Sequence, residues 1–180
     1  MVETGGKLKA DVAEIKADVA EIKTDVAEIK GDCLEFKLPQ RIRAFLSQKL
    51  ALRGTRIMQS ALGLESANEL SEAVEQAADS GVITDAEETR VLETDLILRA
   101  RRKRDRSTVW VAVEASHTVD GYDVDRARES AQILRQMFGA DSVAVAMGYG
   151  VRAGDRSRAE EAGVELFVIE RRRQSPASSA

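Results

Sequence analysis

Cysteine and histidine occur once each in this chain, as Cys33 and His117. A lone thiol rules out an internal disulfide framework, and a lone imidazole leaves no His-rich zinc site and only one histidine for any Ser-His-Asp triad. Aromatic residues make up 4% of the chain, with Trp110 its sole tryptophan, which argues against extensive base stacking on a single strand. No apolar run is long enough to span a bilayer, and the opening residues MVETGGKLKAD lack the apolar stretch of a secretory signal. A soluble, cytoplasmic protein without a membrane partner is expected. The net charge of -4 is uninformative alone, because charges of each sign are segregated along the chain.

What is present begins with a repeat. From Leu8 to Lys37 the sequence reads LKADVAEIKADVAEIKTDVAEIKGDCLEFK, with Val12, Val19, Val26 and Cys33 at heptad position a and Ile15, Ile22, Ile29 and Phe36 at d. Such a narrow stripe predicts a coiled coil over residues 1–37 rather than an amphipathic helix lying on a core. Asp11, Asp18, Asp25 and Asp32 fall at g and Lys16, Lys23, Lys30 and Lys37 at e, so parallel strands oppose unlike charges and antiparallel strands like ones. A parallel homo-oligomer follows. β-branched residues at a, with isoleucine rather than leucine at d, favour three or four strands, with two still open.

The 180 residues, 43% of them hydrophobic, suffice for one core beyond this rod. Pro39 is expected to end or kink the rod, and residues 38–65 then read as a basic connecting helix. Its Arg41, Arg43, Lys49, Arg53 and Arg56 fit either solvated packing or nucleic-acid contact. A further helix is predicted over 66–83, an extended segment over 89–99, a charged turn, the strand TVWVAVEAS, a helix over 123–138, the strand SVAVAMGYG, a short helix over 154–162 and the strand VELFVIE. The sum is an α/β arrangement over 66–170, built on a small mixed sheet, and a low-apolar tail over 171–180 predicted to be disordered.

One carboxylate stands out. In TVWVAVEAS, strand alternation puts Trp110, Ala112, Glu114 and Ser116 on one face and Val109, Val111, Val113 and Ala115 on the other. The segments before and after the charged turn are expected to pair as an antiparallel hairpin, which brings Asp95 close to Glu114. Two such carboxylates repel unless a cation such as Mg²⁺ lies between them; the plainer alternative is that both are solvated at a sheet margin.

The run ETDLIL, a basic turn, VWVAVEAS and a helix opening DVDRARESAQIL resembles the PD-(D/E)XK nuclease superfamily over residues 66–170. With the heptad rod in front, the chain is similar to coiled-coil nuclease tandem proteins. The resemblance implies a restriction-endonuclease-like mixed sheet with flanking helices. It makes Asp95 and Glu114 holders of Mg²⁺ (or Mn²⁺) and gives Glu72 on the preceding helix an assisting role. The family lysine, two residues after the second acid, is Ser116 here, so catalytic Asp95, Glu114 and Ser116 form an incomplete motif. A replacement cation would be an arginine such as Arg126, or Lys103. His117 alternates away from Glu114 and is expected to be structural.

Two functions follow. The first is a Mg²⁺-dependent endonuclease acting on DNA as an oligomer. The alternative is a non-catalytic nucleic-acid-binding or scaffold protein with a degenerate site. Arg99, Arg101, Arg102, Lys103, Arg104 and Arg106 in the turn are expected to contact DNA phosphates under either reading, unless they serve only as a solvated loop.

Overall fold

The computed structural model describes residues 3–60 and 67–169, and the side chains of 10–26, 41–60 and 69–169 among them. The elements run α1 (Glu3–Lys49), β1 (Leu52–Ser60), α2 (Ala67–Asp79), α3 (Asp85–Leu92), β2 (Leu96–Arg102), β3 (Thr108–Ala115), β4 (Thr118–Val119), α4 (Gly121–Phe138), β5 (Asp141–Gly148), β6 (Gly150–Val151), α5 (Asp155–Ala162) and β7 (Val164–Val168).

The main sheet has the order β1-β2-β3-β5-β7. The first three strands form an antiparallel meander, and β3, β5 and β7 run parallel, joined through α4 and α5. The expected mixed sheet with flanking helices is present. β4 and β6 pair in parallel as a separate two-stranded ribbon.

β3 explains why the sheet sits in the middle. Its β-branched run buries both faces, so Val109, Val111 and Val113 join one core while Trp110 and Ala112 join the other. On the first side Ile42, Phe45 and Leu46 of α1 cover Leu96, Leu98, Val145 and Met147, with the Phe45 and Phe167 rings stacked at 4.5 Å. On the second, Leu70 and Val74 of α2, Val91 of α3 and Val124, Ala127 and Leu134 of α4 pack on Met58, Ile97 and Ala146. α4 is closed at both ends by local chemistry. Asp120 forms a capping box with Asp123, and Gly139 adopts the left-handed conformation at φ 59°.

Three expectations change. α1 runs past Pro39 to Lys49, because Ile42, Phe45 and Leu46 bury a helical stripe against the sheet after the proline. The connecting helix over 38–65 therefore stops at Lys49, and Leu52–Ser60 is the edge strand β1. Its register slips between Arg53 and Arg56 and again between Ile57 and Gln59, which erases the period-two pattern that would mark a strand in the sequence. The extended segment over 89–99 is instead the end of α3, a three-residue link (Glu93, Thr94, Asp95) and the start of β2. Thr84 and Glu87 form a capping box that starts α3, and this T-x-x-E signature was legible in the sequence.

The rod's Val12, Ile15, Val19, Ile22 and Val26 stand between 40% and 59% exposed on α1, without a partner in this single chain. The side chains of Ile29, Cys33 and Phe36, and the tail over 171–180, lie outside the described residues. No described helix is long and apolar enough to cross a membrane.

Candidate active site

Asp95 stands one residue before β2, and because Leu96 registers with Val113 it faces Glu114 across the hairpin. Its Oδ2 accepts from the Ala115 backbone N–H at 2.7 Å, which fixes the carboxylate beside the second acid. Glu114 is 3% exposed, and both of its oxygens are occupied. Oε1 accepts from Arg90 Nη2 at 3.0 Å, and Oε2 lies 3.2 Å from Arg126 Nε. Sequence alternation thus placed the two acids together correctly, while their cationic neighbours come from α3 and α4.

Burial and the nearby Asp95 charge push Glu114 up to about 8, against the pull of Arg126 and Arg90. Asp95 is raised as well, chiefly by burial and against the Ala115 hydrogen bond. The two acids titrate as a coupled pair, each shifted toward its protonated form.

The arginines are themselves held in place. Arg126 Nη2 donates to the Glu93 carbonyl at 3.2 Å and Nη1 to Tyr122 Oη at 3.3 Å, with the guanidinium 5.3 Å from the Tyr122 ring centre. Arg90 is carried by α3, whose C-terminal carbonyls are gathered by Gln59. Its Nε2 lies within 3.0 Å of the Val91, Leu92 and Thr94 carbonyls. Thr94 Oγ1 bonds to Ser130 Oγ at 2.8 Å, tying the link before Asp95 to α4. The Nε of Arg90 is buried without a hydrogen bond, while the equally buried Nε of Arg126 makes the ion-pair contact to Glu114.

The other sequence-predicted residues are dispersed. The Ser116 hydroxyl bonds to Asp123 in the first turn of α4, a carboxyl that burial raises despite that bond. Glu72 is exposed on α2 in an acidic patch with Glu75 and Asp79, and the helix that does reach the pair, α3, supplies an arginine. His117 contacts Thr118 Oγ1 at 3.3 Å and the Tyr149 ring, in keeping with a structural role.

In the turn, Arg102 pairs with Asp141 at 2.9 Å, Lys103 Nζ donates to the Ser47 carbonyl, and Arg104 lies 3.4 Å from Asp105. Arg106 holds the left-handed position at φ 62°. Arg99 and Arg101 project from the opposite face of β2 to Arg102, so the six cations do not form one surface. Lys103, anchored on α1, is not the replacement for the missing lysine. Arg126, with Arg90, is a cation beside Glu114.

The donor chemistry suits a hard dication, which would relieve the repulsion between the buried Glu114 carboxylate and the half-buried Asp95. No cluster of three or more His, Cys, Asp or Glu side chains able to hold a metal is found among the described residues, so water or backbone oxygens would complete the set.

No family model and no curated protein matches the chain. Among solved structures it is similar to the crystal structure of a repair endonuclease from Pyrococcus abyssi, at 14% identity and a TM-score of 0.35. The match covers 57% of this chain and 47% of that one, less than half of the endonuclease's length. A likeness at that level speaks neither to activity nor to substrate.

Proposed function

We propose that this chain is a metal-dependent nuclease-like protein acting on DNA phosphodiester bonds. The observation that carries the reading is the meeting of Asp95 and Glu114, from adjacent antiparallel strands, with Arg126 from the following helix. Asp95 and Glu114 hold Mg²⁺ or Mn²⁺. When bound, the ion polarises a phosphate and lowers the pKa of an attacking water. Arg126 supplies the positive charge that Ser116 cannot, and with Arg90 it offsets charge that grows on the phosphate oxygens. The buried Nε–H of Arg90 is a donor available to an anionic oxygen, while Arg126 Nε is turned to Glu114 Oε2. Ser116 acts indirectly, by orienting Asp123 at the mouth of α4.

A second reading rests on a specific contact: both Glu114 oxygens are already engaged by guanidinia, so a dication must displace them. On that reading the arginines have taken over the cation's role and the domain binds without cutting. Incubating labelled DNA with the full chain and Mg²⁺ or Mn²⁺, with EDTA as control, separates the two. Metal-dependent cleavage lost in Glu114→Gln supports the nuclease. Metal-independent binding with no cleavage supports the scaffold.

The exposed Val/Ile stripe of α1 joins copies of the chain as a parallel coiled coil, with three or four strands favoured over two, in register with the Asp-to-Lys pattern at g and e. Several nuclease-like domains then engage one polyanion with the gain of multivalency.

A further inference from the structure

β3 carries two different surfaces on one face. Glu114 lies at one end and Trp110 four residues back, about 13 Å along the strand. α4 spans the interval, with Arg126 near its start and Phe138 as its last residue. The Phe138 ring stacks on Trp110 at 3.9 Å, and beyond this stack lies a groove of about 630 Å³.

Its polar lining is arginine. Arg99 registers with Trp110 and Arg101 with Thr108, so both guanidinia rise from this face of β2. In a regular strand Arg53 and Arg56 would point to opposite sides. The slip between them, with Gly54 at φ 64°, sets Arg53 opposite Arg101 and Arg56 opposite Arg99. Arg56 thereby joins the groove, where it is steadied by Glu69 at 3.0 Å. No carboxylate of the described residues pairs with Arg99 or Arg101, in a chain whose net charge is negative. The cations at the turn's tip, by contrast, are largely spent on Asp141, Asp105 and the Ser47 carbonyl.

We propose that this groove binds the phosphodiester backbone of a nucleic-acid strand, with Arg56, Arg99 and Arg101 as the phosphate contacts. Arg99 and Arg101 stand about 7 Å apart along β2, and Arg56 about 5 Å across to β1, a spacing of the order of that between successive phosphates. Arginine's planar fork suits phosphate oxygens in pairs. Trp110 is 5% exposed and its ring is covered by Phe138, so no base stacks here and recognition is of backbone rather than sequence. The inference rests on the nucleic-acid reading above, but it assigns the anchoring to a surface separate from the carboxylate pair.

The test measures binding of end-labelled DNA to the full chain in EDTA, by fluorescence anisotropy, with Trp110 emission as a second readout at the groove. Arg99→Ala with Arg101→Ala is expected to weaken binding about tenfold or more at about 50 mM salt, and to reduce the slope of log K against log salt by about 1.4 for a single strand or 1.8 for a duplex. Arg99→Lys with Arg101→Lys should restore most of the affinity and the slope. Arg104→Ala with Arg106→Ala should change little. Unchanged affinity and slope in the alanine pair overturns the groove, as does a wild type that binds no DNA at low salt. Displacement of DNA by polyglutamate at equal charge concentration also overturns it, in favour of an acidic protein partner. Groove-dependent binding without cleavage under any metal leaves the groove standing and removes the nuclease reading; cleavage with an unaltered KM in the alanine pair does the reverse.

Discussion

Arg126 meets Glu114 across the interface of α4 and β3, its Nε 3.2 Å from Oε2, and so supplies from a helix the positive charge that the strand itself lacks at Ser116. Removing it leaves a buried carboxyl with Arg90 as its only ion-pair partner among the described residues. Arg126→Ala should therefore lower stability by about 1–3 kcal/mol, less than the roughly 3–5 of a fully buried pair because Arg126 reaches solvent. It should also abolish cleavage. Arg126→Lys should recover part of both, as read by urea melts and by kcat; equal loss of kcat in the lysine and alanine variants would deny the charge its role.

Asp95→Asn and Glu114→Gln are each expected to remove metal-dependent cleavage while keeping the fold and oligomer, because Asn and Gln retain the shape but not the charge that a dication needs. Calorimetric titration with Mn²⁺ checks the assignment separately from activity. Heat of binding that persists in both variants would place the ion elsewhere.

The protonation of Glu114 makes stability depend on pH in a defined direction. Its carboxyl is pushed up to about 8 from an ordinary 4.5, so the folded state binds this proton more tightly than the unfolded one does. That contribution is fully present below about 4.5 and is lost as pH rises through about 8, and the raised Asp95 acts in the same sense. Wild type should lose stability relative to Glu114→Gln between pH 5 and pH 9, followed by denaturant midpoints at each pH. Mn²⁺ binding should tighten over the same range, since the ion competes with the proton. A gap between the two proteins that is flat with pH would mean that Glu114 is ionised throughout.

The apolar stripe of α1 predicts self-association through residues 8–37. Ile15→Asp with Ile22→Asp should yield monomers in sedimentation equilibrium, and a chain beginning at residue 38 should be monomeric yet folded. Truncation to residue 50 should not fold well, because it strips Ile42, Phe45 and Leu46 from one whole face of the sheet, where each such deletion costs about 2–5 kcal/mol. Oxidation should crosslink two chains through Cys33 if the strands run parallel.

The sequence by itself determined what local periodicity can encode. Alternation in TVWVAVEAS placed Glu114 on the inward face with Trp110, the heptads marked the exposed stripe of α1, and the charged turn between apolar runs specified the β2–β3 hairpin and hence the approach of Asp95 to Glu114. Tertiary structure decided the rest. β1 is a strand only because β2 offers it a ladder, and the two slips in its register hide it from any period-two reading while turning Arg56 toward Arg99. Arg90 and Arg126 stand 24 and 12 residues from Glu114, and which cation a buried carboxylate meets depends on how α3 and α4 pack on the sheet. Charge pairing of this kind has no period along the chain. It is set by which elements the core brings together.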